Sequence, residues 1–389
     1  MTLQVAISAG ELSGDMHAAG VVAALQNTLK YEFFGMGGSN LRAVGVDTII
    51  DSESATGGVM GFFGVLGKLP AIFKSLAIFE RALKIRRPAA LILVDYPGFN
   101  LRLAKIAHGL GIPVFYFIIP KMWVWKAARL ELLKSYVQRT FTIFPFEHDW
   151  LAVRGYNSDT FVGHPIASQI SARPINRDEI RAQLEVPPGA KLLAVLPGSR
   201  TAELRYHLSI IAQTVTALRT QFPGLVAVAP VASTQTGNPM WRIAKDAGIK
   251  LSALNSIDIM RAADAGIIKS GTSTLEAAAC GLPSVMIYKA SALTAIIVRK
   301  FIRANDYSLP NIIKTGTMRE LTQEQASVEK ISTCITEMLA TAGGLRERAR
   351  YEQMMQVLSV DDNPGQVRNQ QTPYERVASG LVQALGFQT

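Results

Sequence analysis

Short apolar runs bounded by glycine, proline and small polar residues recur along the chain, and most are followed by a longer stretch with helical spacing. In the first half, Leu3–Ser8, Tyr31–Met36, Ala89–Val94, Val114–Ile118, Phe141–Ile143 and Thr160–Val162 predict strands. In the second half, Leu192–Leu196, Leu225–Val231, Ile249–Leu251, Ala265–Lys269 and Ser284–Tyr288 do the same. Runs that are continuously apolar suit strands covered on both faces. Strands alternating with helices predict a largely parallel sheet in each half, an α/β fold with two Rossmann-like domains. Ala9–Asp15 is expected as a loop, with helices over His17–Leu29 and Leu101–Leu110. Ser168–Gly189, with Pro174, Pro187 and Pro188, is the expected connection. The first domain then takes residues 1–167 and a C-terminal helix at about 365–389, and the second takes residues 168–364.

One stretch departs from this rhythm. Met60–Phe79 is very apolar, broken by Gly61, Gly64, Gly67 and Pro70, and carries Lys68 and Lys74. A helix there would be apolar over most of its surface with cations at its margin, the pattern of an interfacial membrane segment or an acyl-chain site. Met60, Phe62, Phe63, Leu66, Leu69 and Phe73 are its candidate lipid contacts, the alternative being a helix buried under another domain.

Composition narrows the partners. The 389 residues carry a formal net charge of +10, which favours an anionic partner: a nucleotide, nucleic acid or an acidic membrane face. Nucleic acid fits least, because the basic residues are scattered instead of interleaved with aromatics. Cys280 and Cys334 form no ligand pattern, so neither a zinc site nor a disulfide framework is expected. The first fifteen residues lack a basic leader and no stretch is long enough to span a bilayer, so the expectation is a cytoplasmic protein that touches a membrane without crossing it.

The chemistry-bearing residues fall at predicted strand ends, where ligands sit in doubly wound folds. In Lys191–Tyr206 a buried strand ends in Pro197-Gly198-Ser199-Arg200 and a helix begins. Glycine allows close backbone approach, the helix start offers free N–H groups, and Arg200 adds charge, a combination that suits a phosphate. A solvated strand–turn–helix is the plain alternative. Gly271-Thr272 opens another helix in the same way, with Glu276 one turn in, placed to accept from a ribose diol or merely to offset the helix dipole. Asp95 ends a buried strand, where it either caps the next helix or takes a proton from a substrate hydroxyl. Glu11, Ser13, Gly14 and Asp15 follow the first strand without dinucleotide-fingerprint spacing. Asn100, Trp123, Trp125 and His164 also lie at strand ends; packing explains the tryptophans and a backbone bond explains the histidine equally well. No metal-ligand spacing, P-loop or nucleophile elbow occurs. The sum is a two-domain enzyme that binds a nucleotide diphosphate in its second half and an acceptor in its first, which fits a metal-free GT-B glycosyltransferase.

SAGELSGDMHAAG, VDYPGFNLRLAK, WVWKAAR, FPFE, GHP, LPGSRTAELRYHL, SGTSTLEAA and DYSLPNII occur in this order over essentially the whole chain. Together they resemble the lipid-A-disaccharide synthase family. The resemblance implies a GT-B fold, two Rossmann-like domains facing a central cleft, with C-terminal helices crossing back to the N-terminal domain. It implies inverting transfer from UDP-2,3-diacylglucosamine to 2,3-diacylglucosamine 1-phosphate (lipid X), releasing UDP, with no cofactor. Asp95 matches the general base for the acceptor's 6-hydroxyl. Ser199 and Arg200 match the diphosphate turn, and Gly271, Thr272 and Glu276 the nucleotide loop, with Asn311, Glu320 and Gln323 nearby. Glu11, Ser13, Gly14 and Asp15 match the acceptor-side loop, joined there by Asn100 and Trp123, and Met60–Phe79 the membrane-docking region. The family's members are peripheral on the cytoplasmic face of the inner membrane, an anionic surface, and a C-terminal-swapped homodimer is known for the fold.

The chain departs from the family pattern at Ile119, where a serine is common, at Gly64, where a glutamate is, and at Gly98, where a second aspartate is. The loop after Asn311 is about one residue short. Other readings are a different lipid-linked GT-B transferase, a UDP-sugar 2-epimerase, or a UDP-sugar or lipid binder without turnover.

Overall fold

The computed structural model describes residues 3–27, 31–52, 69–123, 127–232, 235–291, 306–360 and 371–386. It divides into one unit of Met1–Pro165 with Leu358–Thr389 and another of Ile166–Val357.

Among the described residues the first unit carries a seven-stranded parallel sheet in the order β3-β2-β1-β4-β5-β6-β7. Its strands are β1 Leu3–Ala9, β2 Tyr31–Gly37, β3 Asp47–Asp51, β4 Ala90–Val94, β5 Val114–Phe117, β6 Arg139–Thr142 and β7 Asp159–Phe161. The second unit carries a six-stranded parallel sheet in the order β10-β9-β8-β11-β12-β13. These are β8 Leu192–Leu196, β9 Val226–Pro230, β10 Lys250–Ser252, β11 Ala265–Lys269, β12 Ser284–Tyr288 and β13 Arg319–Thr322. The first six strands of each unit therefore repeat one doubly wound order. Each has its switch point between its first and fourth strands: β1 against β4, from Val5↔Ala90 to Ala9↔Val94, and β8 against β11, from Leu193↔Ala265 to Leu196↔Ile268.

Helices on both faces explain the continuous apolar runs. All five residues of β4 and all five of β8 are buried. Leu204, Leu208, Ile211, Val215 and Leu218, at helical spacing along Thr201–Gln221, pack with Ile331, Ile335 and Met338 over one face of the second sheet. Ile180, Leu184, Ile259 and Met260 cover the other. Each such side chain contributes roughly 1.5–3 kcal/mol of burial. The C-terminal helix Pro373–Leu385 returns to the first unit and lies along the helix Leu12–Gln26. Tyr374 sits against Gly20, where a Cβ would come within 2.8 Å of its ring, and its hydroxyl meets His17 Nδ1 at 3.0 Å.

Three expectations need correction. The first helix starts at Leu12, not His17, so Ser13, Gly14 and Asp15 form its first turn instead of a loop. The next begins at Pro97, which places Asn100 inside a helix. Both glycine-containing starts suggested loops. Gly14 instead lets its turn lie against β4, its missing Cβ 3.6 Å from the Val94 carbonyl. The expected connection is folded onto the second unit as helices Ile166–Ser171 and Arg177–Gln183. Arg173 bonds Asp258 at 2.8 and 3.1 Å, and Arg177 bonds Asp264 at 2.6 Å.

Met60, Phe62, Phe63 and Leu66 lie outside the described residues. Leu69 opens the helix Leu69–Arg86, on which Phe73, Ile78 and Ile85 are exposed. No helix among the described residues is long and apolar enough to cross a membrane.

Candidate active site

At the switch point of the second unit, β8 and β11 end beside a cavity of about 640 Å³. Ser199, Arg200, Gly271, Thr272 and Glu276 all line it. Both turns need glycine: Gly198 has φ 111° and Gly271 φ 153°, in the region side chains avoid. Each is followed by a helix, Thr201–Gln221 and Thr272–Ala279, whose N-terminal N–H groups and dipole favour an anion at the cavity wall. The Glu276 carboxylate makes no hydrogen bond or ion pair among the described residues, and burial raises its pKa. Its carboxylate is left available to accept from a ligand hydroxyl.

Two residues that sequence reasoning left without a role complete this wall. Glu203, third in its helix, accepts the Ser199 and Arg200 N–H groups at 3.1 and 3.4 Å. It also takes the Lys269 ammonium at 2.8 Å and lies 3.6 Å from the Arg200 guanidinium. Burial works to raise its pKa, but Lys269 and the two backbone donors outweigh it and hold the group below its usual range. An ammonium ending β11 thus faces the same turn as Arg200. The clue was in the sequence: an apolar strand that ends in Lys269. Below them His207 donates from Nδ1 to the Glu203 carbonyl at 2.8 Å and accepts the Lys289 N–H at Nε2, 3.0 Å. That fixes a neutral tautomer and pins the helix start to the end of β12.

Asn311 and Glu320 do not line this cavity. Glu320 accepts from Tyr307 N, Ser308 N, Ser308 Oγ and Asn311 Nδ2 at 3.0, 2.8, 2.6 and 2.8 Å. Asn311 also bonds both backbone groups of Met318. The pair builds the loop before β13. Gln323 follows β13 at φ 50° and accepts the Ala290 N–H at 3.5 Å.

The switch point of the first unit is arranged differently. Asp95 follows β4 in the left-handed region, φ 48°, and Tyr96 comes next at φ 46°. Such conformations cost about 1–3 kcal/mol each and persist where the surroundings impose them. The Asp95 carbonyl accepts Asn100 Nδ2 at 2.7 Å and the Tyr116 hydroxyl at 2.6 Å, and its N–H donates to Phe117 O at 3.1 Å. Tyr96 is the N-cap of the following helix and no side chain caps it, so Asp95 is not serving as a cap. Burial raises the Asp95 pKa, opposed by the Tyr96 N–H and by the charge of Lys121. The result is a rigidly held, poorly solvated carboxyl, an environment that favours a proton acceptor.

Gly14 packs against it, 4.0 Å from the Asp95 Cβ to where its own Cβ would stand. Glu11 bears on Tyr96, raising its pKa after burial does, and Ser13 is exposed. Two expected lining residues are instead internal. Asn100 is fully buried, with Oδ1 taking Ser8 Oγ at 2.7 Å and Nδ2 on three carbonyls. Asp15, also fully buried, accepts from Gly38 N, Asn40 N and Leu41 N at 2.6, 2.8 and 3.4 Å, tying the first helix to the turn after β2. Their polar atoms are spent on internal partners, mostly backbone, so both hold the site's frame. Trp123 is half-buried after β5 and donates to Glu147 at 3.1 Å. His164 is half-buried against Phe144, and desolvation, with His17 and Lys121 nearby, pushes its pKa down to about 3.

Comparison with known proteins places this geometry. A family model described as lipid-A-disaccharide synthetase matches residues 5–372. The lipid-A-disaccharide synthase of Geobacter sulfurreducens is 34% identical over 334 residues, 85% of this chain and 86% of that protein. That of Trichlorobacter lovleyi is 36% identical, covering 87% and 88%. Among solved structures, a complex of S. aureus MnaA with UDP superposes with a TM-score of 0.68 at 12% identity, over 100% of this chain and 98% of that one. The calicheamicin glycosyltransferase CalG4 superposes with a TM-score of 0.55 at 14% identity, over 99% of each. At such identities the structural likeness establishes the GT-B fold alone, whereas the sequence relatives establish kinship. The chain belongs to the lipid-A-disaccharide synthase family, as a hexosyltransferase of lipid A biosynthesis.

Proposed function

We propose that the protein transfers the diacylglucosamine of UDP-2,3-diacylglucosamine to the 6-hydroxyl of 2,3-diacylglucosamine 1-phosphate (lipid X). The observation that carries this reading is the division of chemistry between two equivalent switch points. One has two glycine-opened helix starts, Arg200, Lys269 and an unengaged Glu276, a set suited to a nucleoside diphosphate. The other has a single held carboxyl at Asp95. In the reaction Asp95 takes the hydroxyl proton while the acceptor oxygen attacks the anomeric carbon. The bond from that carbon to the diphosphate breaks, its electron pair leaves with UDP, and the configuration inverts. Arg200, Lys269 and the helix starts stabilise the departing charge, so no metal is required.

Net charge +10 and the exposed Phe73, Ile78 and Ile85 support attachment to the anionic inner face of the inner membrane, where such acyl substrates reside. The same reading includes a homodimer formed by exchange of C-terminal helices. The docking of Pro373–Leu385 by Tyr374 and His17 is the contact such an exchange would reproduce between copies.

The test is incubation with both substrates in EDTA, followed by mass spectrometry. The expected products are the disaccharide 1-phosphate and UDP in equal amounts. An epimerised nucleotide sugar, or donor bound without UDP release, would overturn the assignment.

A further inference from the structure

The FPFE stretch puts Glu147 in the first turn of the helix Pro145–Ala152, after β6, and nothing above gives its side chain a task. Only 2% of the residue is exposed. Oε1 accepts the Trp123 indole N–H at 3.1 Å, while Oε2 is buried with no hydrogen-bond partner. A carboxylate left so would be strongly destabilising, and such a group keeps its proton instead. Burial lifts its pKa to about 8 against the pulls of the Trp123 bond, the Lys121 charge and the Phe144 backbone, with Asp159 adding to the rise.

Trp123 heads a row of rings at the C-terminal ends of β5 to β7. It meets Phe146 edge-on at 4.9 Å, Phe146 stacks on Phe144 at 5.3 Å, and His164 lies on Phe144 at 5.1 Å. The row follows β5, whose last residue Phe117 takes the Asp95 N–H on its carbonyl at 3.1 Å, and the exposed Lys121 between Phe117 and Trp123 carries its charge toward Asp95, Glu147 and His164 alike. Trp123 thus presents a partly exposed, amphipathic ring near the candidate base, held from behind by one bond. A ring so held is a ready surface for the C–H face of a pyranose.

We propose that Glu147 is a positioning residue for acceptor recognition: through its bond to Trp123 it fixes the indole as a stacking surface for the acceptor's sugar ring. This rests on the reading that the first unit takes a glycolipid acceptor. Above about pH 8 Glu147 ionises, water must reach Oε2, and the packing that fixes Trp123 loosens.

The experiment measures KM for acceptor and donor from pH 6.5 to 9.5 in wild type, Glu147→Gln and Glu147→Ala. Glutamine keeps an acceptor for the indole and does not titrate. The wild-type acceptor KM should rise several-fold above pH 8, while Glu147→Gln stays low and flat. Glu147→Ala should raise it at every pH, with donor KM unchanged. A Glu147→Gln profile that follows wild type, or donor and acceptor KM moving together, would overturn the proposal. A substrate-free arm records the emission difference between wild type and Trp123→Phe across the same pH range. It should titrate near pH 8 and become flat when Glu147→Gln is present in both proteins; a flat wild-type difference also overturns the proposal. Titrating fluorescence without turnover would support the Glu147–Trp123 link and count against the assigned reaction.

Discussion

The two switch points share a strand order and little else. At β8/β11 the chain opens its turns with glycines, points helix starts at a cavity and ends β11 in Lys269. At β1/β4 it forces a non-glycine pair, Asp95 and Tyr96, into the left-handed region and partly desolvates the carboxyl. The topology settles where a ligand can sit, and the residues at the strand ends settle which charge is welcome there. On the proposed reading the first arrangement stabilises the anionic diphosphate. The second keeps a carboxyl ready to receive a proton.

The largest break of that contrast is Asp95→Asn, which keeps the shape and removes the base. Transfer should fall by about 10²–10⁴-fold, the usual contribution of a positioned general base. UDP binding, read by calorimetry, should be unchanged, and substantial turnover by the variant would remove Asp95 from the mechanism. With Asp95 as the proposed base, the deprotonated form is the active one. Because burial raises the Asp95 pKa, the acid limb of the rate profile should lie above the ordinary value of 3.8 and vanish in the variant.

Arg200→Ala attacks the other switch point. A charge-assisted hydrogen bond is worth about 1.5–3 kcal/mol, so UDP should bind roughly ten- to a hundredfold more weakly. The loss should shrink at high salt, and acceptor KM should hold steady. Equal weakening of both substrates would mean that the guanidinium supports the fold and not the diphosphate.

What the sequence makes legible follows from the range of the interactions. Strands buried on both faces leave continuous apolar runs, and glycines at positive φ leave their own mark, so Ser199, Arg200, Gly271, Thr272 and Glu276 stand out at one cavity. Bonds that close over long separations leave no local trace. Asp15 to Gly38, Lys269 to Glu203 and Trp123 to Glu147 join residues whose neighbours in sequence say nothing of one another. Asn100 and Asp15 look like ligand contacts in a motif because internal frame and exposed surface draw on the same polar residues. Helix starts misled for a related reason: Gly14 serves close packing on β4, where a turn is the more familiar use of glycine.

The effects that leave turnover least changed give the sharpest form of the comparison, because Glu203 and Glu147 occupy the same third position of their helices. Glu203 turns back to its helix's own N–H groups and to Lys269, and its pKa falls. Glu147 turns into a cluster of rings, and its pKa rises to about 8. A lowered carboxyl stabilises the fold above its unfolded pKa near 4.5, and that contribution is lost as pH falls through its folded value. Glu203→Gln should therefore cost about 1 kcal/mol at neutral pH, after allowance for solvent screening, or roughly 2–4 °C in Tm, and nothing in strong acid. A raised carboxyl does the reverse. The wild-type fold loses stability as pH climbs from 4.5 to about 8, since only the unfolded chain ionises Glu147 over that window. Glu147→Gln should therefore gain on wild type across that window and level off beyond it. Melting curves from pH 4 to 9 would show the two variants diverging in opposite directions; parallel curves would mean that environment does not separate these two carboxyls.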